Sequence, residues 1–214
     1  MRIFLFLITV FSFGLIAEEK SCAVSPAEGM KRLLEGNQRY VEGKMRHPDQ
    51  SKERRIKTEA IQKPFAAILG CSDSRVPPEI LFDQGIGDLF TVRVAGNVLG
   101  PVELDSIEYT AFYLGSCFIL VLGHENCGAI KAVMAGQTKE IEAVASLITP
   151  ALAQHPGATT EEAVKDNVLH VIQQLKKSPV LSKLMQKGSL DIRGGYYDFV
   201  SGKVELLPVV EEKR

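Results

Sequence analysis

The sequence contains no tryptophan and only four cysteines among its 214 residues, and neither sign of charge is in excess. A formal net charge of −1, without a basic stripe, excludes the electrostatic footprint of a nucleic-acid-binding protein. The composition, 24% charged and 45% hydrophobic residues, is also not that of a disordered chain. Internal repeats and low-complexity linkers are missing too. Most of the chain is therefore expected to fold as one domain.

Long uncharged runs are also missing, except at the N-terminus. Arg2 precedes an uncharged stretch over residues 3–16, and Ala17 then precedes two glutamates. A positive start, an apolar centre and a small residue at the boundary are typical of a secretory signal peptide. The stretch is shorter than the about 20 apolar residues that a membrane span needs. We therefore predict a signal peptide over residues 1–17 and a periplasmic or otherwise exported protein.

Two other possibilities stay open for this end of the chain. The apolar stretch would act as a membrane anchor if it were not cleaved, and Cys22 follows it closely enough to be a site of lipid attachment. Beyond the signal peptide we predict a flexible arm over residues 18–24 and a single domain over residues 25–214. No stable membrane span is expected after processing.

Short apolar runs alternate with helical patterns through the middle of the chain. The runs cover residues 65–69, 89–94 and 117–122, and a helix begins at Pro101 between the last two. Such alternation is typical of parallel strands with helices packed on both faces of the sheet. We therefore predict an α/β fold with a mostly parallel central sheet of four to five strands flanked by helices, behind an N-terminal helical arm.

Capping signals and a late turn add further elements. Ser25 is followed by a proline and Thr159 is followed three residues later by a glutamate, and both patterns predict helix starts. A second short helix is expected from about residue 51. Near the C-terminus, the β-like runs over residues 190–199 and 203–209 predict a hairpin or edge strands.

Two cysteines and one histidine follow the predicted strands. Cys71 lies just after the first apolar run, and His124 and Cys127 lie just after the third. Ligands bind outside the carboxyl ends of parallel strands, so these side chains are expected to face one crevice. Two thiolates and an imidazole form a three-ligand zinc set with a fourth position open, as in catalytic sites. A disulfide between Cys71 and Cys127 stays open as the alternative in an oxidising compartment.

The residues around this set carry a more specific pattern. Residues 71–75 read Cys-Ser-Asp-Ser-Arg, and residues 124–128 read His-Glu-Asn-Cys-Gly. Together they resemble the signature of the β-class carbonic anhydrases, in which a Cys-x-Asp-x-Arg segment is paired with His-x-x-Cys. The resemblance extends from about residue 30 to residue 207 and includes the run over residues 88–97.

The resemblance implies one zinc ion per chain, bound by Cys71, His124 and Cys127. It also implies a catalytic dyad of Asp73 and Arg75. Asp73 would either accept the proton of a zinc-bound hydroxide or swing onto the metal and close the open position. Arg75 would decide between the two, because a guanidinium can hold a carboxylate with two hydrogen bonds.

The resemblance further implies four substrate-binding positions. Gln62 matches a glutamine that faces the zinc-bound water, and the amide of Gly128 matches one that contacts bicarbonate. Phe90 and Tyr109 match aromatic residues around the carbon dioxide pocket. Because this pocket often lies at a dimer interface in the family, we expect a dimer or tetramer in which Gln62, Phe90 and Tyr109 serve a neighbour's zinc.

The function implied by the resemblance is reversible hydration of carbon dioxide to bicarbonate and a proton, by attack of zinc-bound hydroxide. Two alternatives stay open: a hydrolase of carbon disulfide or carbonyl sulfide on the same fold, and a non-catalytic, disulfide-bonded relative. One subgroup of the family is inhibited by bicarbonate. Its members carry a tryptophan at the position three residues before the first cysteine ligand, and this sequence has no tryptophan. Ile68 stands there and favours the uninhibited form, although Arg93 matches another part of that inhibitory site.

Overall fold

A computed structural model describes residues 20–209, and the predicted signal peptide over residues 1–17 lies outside the described residues. The strands are β1 Ala66–Gly70, β2 Leu89–Arg93, β3 Phe118–His124, β4 Asp191–Tyr197 and β5 Val204–Leu206. The helices are α1 Pro26–Val41, α2 Lys52–Thr58, α3 Pro78–Leu81, α4 Pro101–Tyr109, α5 Gly128–Met134, α6 Glu142–Leu152, α7 Thr160–Lys176 and α8 Pro179–Gln186. Within the described range, no helix is long and apolar enough to cross a membrane.

The strands form one sheet in the order β2-β1-β3-β4-β5. The first four strands run parallel, and β5 pairs antiparallel with β4. This arrangement confirms the predicted α/β fold with a mostly parallel sheet. Helices α1, α4 and α7 pack against the sheet, and β1 and β3 are buried along their whole length. Burial on both faces explains why their sequences are continuous apolar runs and do not alternate.

The helix starts that were predicted from capping signals agree with the structure. At the start of α1, the Ser25 hydroxyl accepts a hydrogen bond from the amide of Glu28 at 3.2 Å. At the start of α7, Thr159 accepts from the amide of Glu162, whose carboxylate accepts from the Thr159 amide in return. These bonds satisfy amides that have no partner inside the helix. The capping signals therefore mark the helix starts for a physical reason.

Helix α7 packs unusually close to the end of β3. A Cβ atom on Gly123 would lie 2.7 Å from the side chains of both Val164 and Val168, so only glycine allows this approach. The next residue, His124, ends the strand. Tight packing at Gly123 therefore fixes the position from which the His124 side chain leaves the sheet.

The register of the parallel strands gathers their carboxyl ends at one edge of the sheet. Gly70 at the end of β1 pairs with Arg93 in β2 and with Leu122 in β3. Cys71 and His124 therefore emerge side by side, at the edge where parallel sheets bind their ligands.

Candidate metal centre

Cys71 enters the centre directly after β1 and is buried. Its sulfur accepts hydrogen bonds from the backbone amides of Gly96 at 3.3 Å and Asp73 at 3.4 Å. Gly96 has a φ of 70°, and a Cβ atom there would lie 2.9 Å from Cδ1 of Ile148. Only glycine accommodates both conditions, and the buried Asn167 amide further holds the Gly96 carbonyl at 2.9 Å. Gly96 thus brings a backbone donor to the Cys71 sulfur.

His124 is fully buried, and its two ring nitrogens differ in their surroundings. Nδ1 lies 2.9 Å from the carbonyl oxygen of Glu125. Because a carbonyl only accepts, Nδ1 carries the proton and Nε2 presents a lone pair. Nε2 is buried and has no hydrogen-bond partner among residues 20–209. An unsatisfied buried polar atom of this kind is costly, so Nε2 is suited to bind something that the protein itself does not provide.

Cys127, at the start of α5, completes a three-residue cluster. One donor atom from each of Cys71, His124 and Cys127 lies within 4.8 Å of the others, and all three side chains are buried. No disulfide joins Cys71 and Cys127 in this structure.

The two thiols of the cluster share a hydrogen bond that separates their acidities. The Cys127 thiol donates to the Cys71 sulfur and holds the pKa of Cys71 well below its usual value, with the backbone amides of Asp73 and Gly96 adding to the effect. The same bond, together with burial, raises the pKa of Cys127. The shared hydrogen bond therefore favours loss of the proton from Cys71 before Cys127.

The donor set fits a divalent metal ion. Two thiolates and one imidazole are ligands that zinc prefers, and three protein ligands are typical of a catalytic rather than a structural site. Metal binding would satisfy the buried lone pair of His124 and would stabilise the second thiolate. The sequence prediction that these three residues converge agrees with this geometry.

Asp73 and Arg75 lie beside the cluster and are tightly paired. Arg75 Nε donates to Oδ1 of Asp73 at 2.9 Å, and its Nη2 donates to Oδ2 at 2.7 Å. This guanidinium holds the pKa of the Asp73 carboxyl well below its usual range, so the carboxylate stays ionised at neutral pH. Its Oδ2 lies 3.9 Å from Nε2 of His124. The carboxylate therefore borders the donor cluster while both of its oxygens are bound by arginine.

Two further residues support this dyad. Phe199 was assigned no role from the sequence, and Arg93 was matched only to part of a bicarbonate-inhibition site. Arg93 donates to the carbonyl oxygens of Cys71 at 3.0 Å and Asp73 at 2.6 Å, which fixes the loop after β1. The Phe199 ring lies 4.1 Å from the Arg75 guanidinium carbon and 5.5 Å from the His124 ring. The sequence could have placed Arg93 near the loop after β1, because Arg93 ends the strand next to β1. Phe199 had no comparable signal, since it comes from the distant β4–β5 turn.

The predicted substrate-binding residues are not all near the cluster. Gly128 begins α5 next to Cys127, is exposed and has open space around it. Gln62 is exposed before β1, whereas Cys71 follows that five-residue strand. The strand alone separates the two residues by about 16 Å, so Gln62 does not reach the cluster of its own chain.

Phe90 and Tyr109 lie together, with ring centroids 6.3 Å apart, but they face a different surface. They line an apolar groove of about 710 Å³ that also includes Val102, Phe112, Tyr113 and Val180. None of the three cluster residues lines this groove. The structure therefore separates the aromatic positions from the metal centre of the same chain.

Comparisons with known proteins agree on one family. The family model described as carbonic anhydrase matches residues 66–204. Carbonic anhydrase 2 of Mycobacterium tuberculosis is 38% identical over 194 residues, which cover 85% of this chain and 93% of the relative. A β-carbonic anhydrase structure from Aspergillus fumigatus covers 87% of this chain and 92% of its own, with a TM-score of 0.68 and 25% identity.

A further likeness concerns the fold alone. Two tetrameric β-carbonic anhydrases of Sordaria macrospora are represented by a structure with a TM-score of 0.65 at 20% identity. The match covers 85% of this chain and 98% of the other.

The fold and the site together define an α/β enzyme with a candidate metal site at the carboxyl ends of its central strands. The chain belongs to the β class of the carbonic anhydrase family. The activity of that family is the reversible hydration of carbon dioxide to bicarbonate.

Proposed function

We propose that Cys71, His124 and Cys127 bind one zinc ion per chain and that carbon dioxide is hydrated to bicarbonate at this centre. The observation that carries the proposal is the buried Nε2 of His124, which has no hydrogen-bond partner in the described part of the chain. Donor atoms from both cysteines lie within 4.8 Å of this histidine's donor atom. An ordinary core histidine would have its polar atoms satisfied, so a metal-ligand role explains the arrangement better.

Zinc bound here would supply a Lewis acid that makes water nucleophilic enough to attack carbon dioxide near neutral pH. The chain's own residues orient that water. Oδ2 of Asp73 is the carboxylate oxygen near His124 Nε2, at 3.9 Å. There it accepts a hydrogen bond from water and turns a lone pair of the water oxygen toward the substrate carbon.

Arg75 keeps the Asp73 carboxylate available for this role. A carboxylate whose two oxygens accept from one guanidinium is not free to become a fourth metal ligand. Phe199 limits the movement of Arg75 by lying against its guanidinium. Arg75 and Phe199 therefore act as positioning residues, and the exposed amide of Gly128 is available to the bicarbonate product.

The proposal includes a second copy of the chain. Gln62, Phe90 and Tyr109 match the family's substrate-binding residues, yet they lie away from the cluster of their own chain. The groove that holds the two aromatic residues is apolar, and Tyr109 and Tyr113 are each 46% exposed. Large exposed apolar patches typically mark interaction sites. A neighbouring copy that covers this groove would bury it and would receive the three residues at its own metal centre.

We also propose that the chain is exported to the periplasm, on the basis of its N-terminal sequence. Expression of the full chain in a bacterium, followed by fractionation and N-terminal sequencing, tests this proposal. A periplasmic product that begins near residue 18 is the expected result. A lipid-modified N-terminal Cys22 or an uncleaved chain in the membrane fraction would instead support one of the two alternatives.

The experiment that tests the metal centre combines two measurements on one sample. Zinc is quantified in the purified protein, and carbon dioxide hydration is followed by stopped flow before and after chelation. One zinc per chain with fast, chelator-sensitive hydration is the expected result. Zinc without hydration would contradict the catalytic proposal, and carbon disulfide and carbonyl sulfide would then be tested as substrates. A zinc-free chain with Cys71 bonded to Cys127 would contradict the metal site itself.

A further inference from the structure

Two cysteines have no role at the metal centre, and they meet at the opposite end of the sheet. Cys117 directly precedes β3 and is fully buried, and Cys22 lies on the arm that leads into α1. The Cys117 thiol donates to the carbonyl of Phe65 at 3.2 Å, and the Cys22 thiol donates to the carbonyl of Ser189 at 3.1 Å. Burial raises the pKa of Cys117, and the neighbouring Cys22 adds to this effect.

The chain around these cysteines brings them together from both sides. The amide of Asp191, two residues after Ser189, donates to the Cys117 carbonyl at 3.1 Å. This bond continues the β3–β4 pairing and fixes Ser189 next to Cys117. Cys22, through its own bond to Ser189, is therefore held at the start of β3.

The arm is also anchored just before Cys22. The amide of Lys20 donates to the carbonyl of Phe112 at 3.0 Å. Gly115 has a φ of 76°, and a Cβ atom there would lie 2.7 Å from the Ser21 carbonyl oxygen. Only glycine lets the arm approach the turn before β3 this closely. The approach of Cys22 is therefore part of the packed structure.

We propose that Cys22 and Cys117 form a disulfide that fastens the N-terminal arm to the start of β3 when the protein meets a disulfide oxidant. The inference does not rest on the function proposed for the metal centre. Because the bonds to Ser189 and from Asp191 hold both cysteines at the start of β3, a local movement of the arm brings the sulfurs to the bond length of about 2.05 Å. Cys71 and Cys127 do not compete, since the seven residues of β3 separate the two ends by about 20 Å.

The reaction is two successive thiol–disulfide exchanges. The Cys22 thiolate attacks the oxidant, a low-molecular-weight disulfide such as oxidised glutathione, and one thiol leaves. The Cys117 thiolate then attacks the sulfur of Cys22 in this mixed disulfide, and the second thiol leaves. Two protein thiols are oxidised and one external disulfide is reduced to two thiols, so atoms and electrons balance.

The order of the two exchanges follows from exposure and acidity. Cys22 is partly exposed and Cys117 is fully buried, so the oxidant reaches Cys22 first. Burial, with the neighbouring Cys22, raises the pKa of Cys117 to about 11. The second exchange is therefore the slower one and is expected to accelerate as the pH rises.

The disulfide would stabilise the domain without contacting the metal centre. It joins the arm to the centre of the sheet and closes a loop that contains α1, β1 and β2. Disulfides that close long loops restrict the unfolded chain most. Hydration activity is expected to stay unchanged, because the bridge lies at the far end of β3 from His124.

The test uses the zinc-loaded mature protein, treated with oxidised glutathione and then blocked with an alkylating reagent. Trypsin followed by a glutamyl endopeptidase cuts after Glu125 and separates Cys117 from Cys127, so mass spectrometry identifies each partner. The expected product is a Cys22–Cys117 linked peptide within one chain, with Cys71 and Cys127 alkylated. The melting temperature of the oxidised protein should fall by about 5 °C or more on reduction.

Two variants serve as controls. Cys22→Ser should show neither the linked peptide nor the change in melting temperature, and it should retain hydration activity. Cys22→Ala combined with Ala23→Cys keeps the thiol count but moves the thiol to an exposed neighbour, and it should stop at the glutathione adduct. A wild-type protein that also stops at a Cys22 adduct would overturn the proposal. Linkage of Cys22 to another chain, or to Cys71 or Cys127, would overturn it as well.

Discussion

The two ends of the central sheet each hold a pair of cysteines, and the two pairs differ in chemistry. At the carboxyl end, backbone amides and the Cys127 thiol donate to the Cys71 sulfur and lower its pKa. At the amino end, the Cys117 sulfur faces the Phe65 carbonyl, and burial raises its pKa to about 11. Donors stabilise a thiolate, whereas acceptors and burial stabilise a thiol.

This difference explains why the first pair is suited to a metal ion, which binds thiolates, whereas Cys22 and Cys117 stay as thiols until an oxidant acts on them. The carboxyl end adds an imidazole with a free lone pair and a carboxylate held by arginine. The amino end adds backbone carbonyls that accept from Cys22 and Cys117, with the charge of Arg32 also acting on Cys117. The number of thiols is equal, so their surroundings decide the function.

The largest expected effect comes from removing one sulfur from each pair. Cys71→Ser is expected to lose its zinc and to reduce carbon dioxide hydration at least about 10³-fold, because the metal supplies the main catalytic effect. Cys22→Ser removes the same atom from the other pair and should retain both zinc and activity. Metal analysis and stopped-flow hydration measure the contrast. Full zinc occupancy in Cys71→Ser would remove the distinction between the two ends.

The second prediction concerns the charge beside the metal centre. Arg75→Ala is expected to lower hydration by about 10- to 100-fold, the range typical of residues that orient a metal site. Without Arg75 the pKa of Asp73 returns upward toward its usual 3.8, which still leaves the carboxylate ionised at pH 7. A loss of activity at that pH therefore reports the position of the carboxylate and not its charge.

A matched control is available for this arginine. Arg193 binds Asp191, also two residues away, at 2.8 Å on the sheet far from the dyad. Arg193→Ala should leave hydration unchanged. Cobalt-substituted protein provides a second measurement, since capture of the metal by Asp73 would change its visible spectrum in Arg75→Ala alone. Equal activity in both variants would contradict the positioning role of Arg75.

The third prediction tests the backbone donor that distinguishes Cys71 from Cys117. Gly96→Ala forces a side chain into a left-handed backbone conformation and against Ile148 and Ala129. We expect a loss of about 1–3 kcal/mol in unfolding free energy and weaker zinc retention against a chelator. Gly128→Ala, whose added Cβ atom meets nothing within 4 Å, is the stability control. Equal melting temperatures for the two variants would show that Gly96 has no special role.

The sequence allowed the carboxyl end of the sheet to be predicted far better than the amino end. Cys71, His124 and Cys127 follow apolar strands, and the strand-end rule for parallel sheets is enough to bring them together. The helix starts at Ser25 and Thr159 could be predicted equally well, because capping depends on neighbouring residues in the chain.

What was not predicted depends on contacts between distant segments. Cys22 was assigned to a flexible arm, and its approach to Cys117 depends on the β3–β4 register and on Gly115, neither of which a local pattern reveals. Phe199 reaches Arg75 through the β4–β5 turn in the same way. Helix α8 is different, because Ser178 before a proline repeats the signal at Ser25 and was overlooked.

The smallest expected effect is a pH dependence of stability that is specific to the amino end. The pKa of Cys117 is about 11 in the folded protein against a usual value of 9.0. Below pH 9 both the folded and the unfolded chain keep the proton, and this contribution to stability is fully present. Between pH 9 and 11 the unfolded chain loses the proton first, so stability falls with rising pH, by roughly 2–3 kcal/mol in total.

A serine in place of Cys117 does not titrate in this pH range and keeps a small hydrogen-bond donor for the Phe65 carbonyl. The difference in unfolding free energy between wild type and Cys117→Ser should therefore shrink as the pH rises from 8 to 10.5. Urea unfolding under reducing conditions measures it without interference from a disulfide. A constant difference across this range would mean that Cys117 ionises as easily as a thiol in water, and the contrast between the two ends of the sheet would then rest on the metal ligands alone.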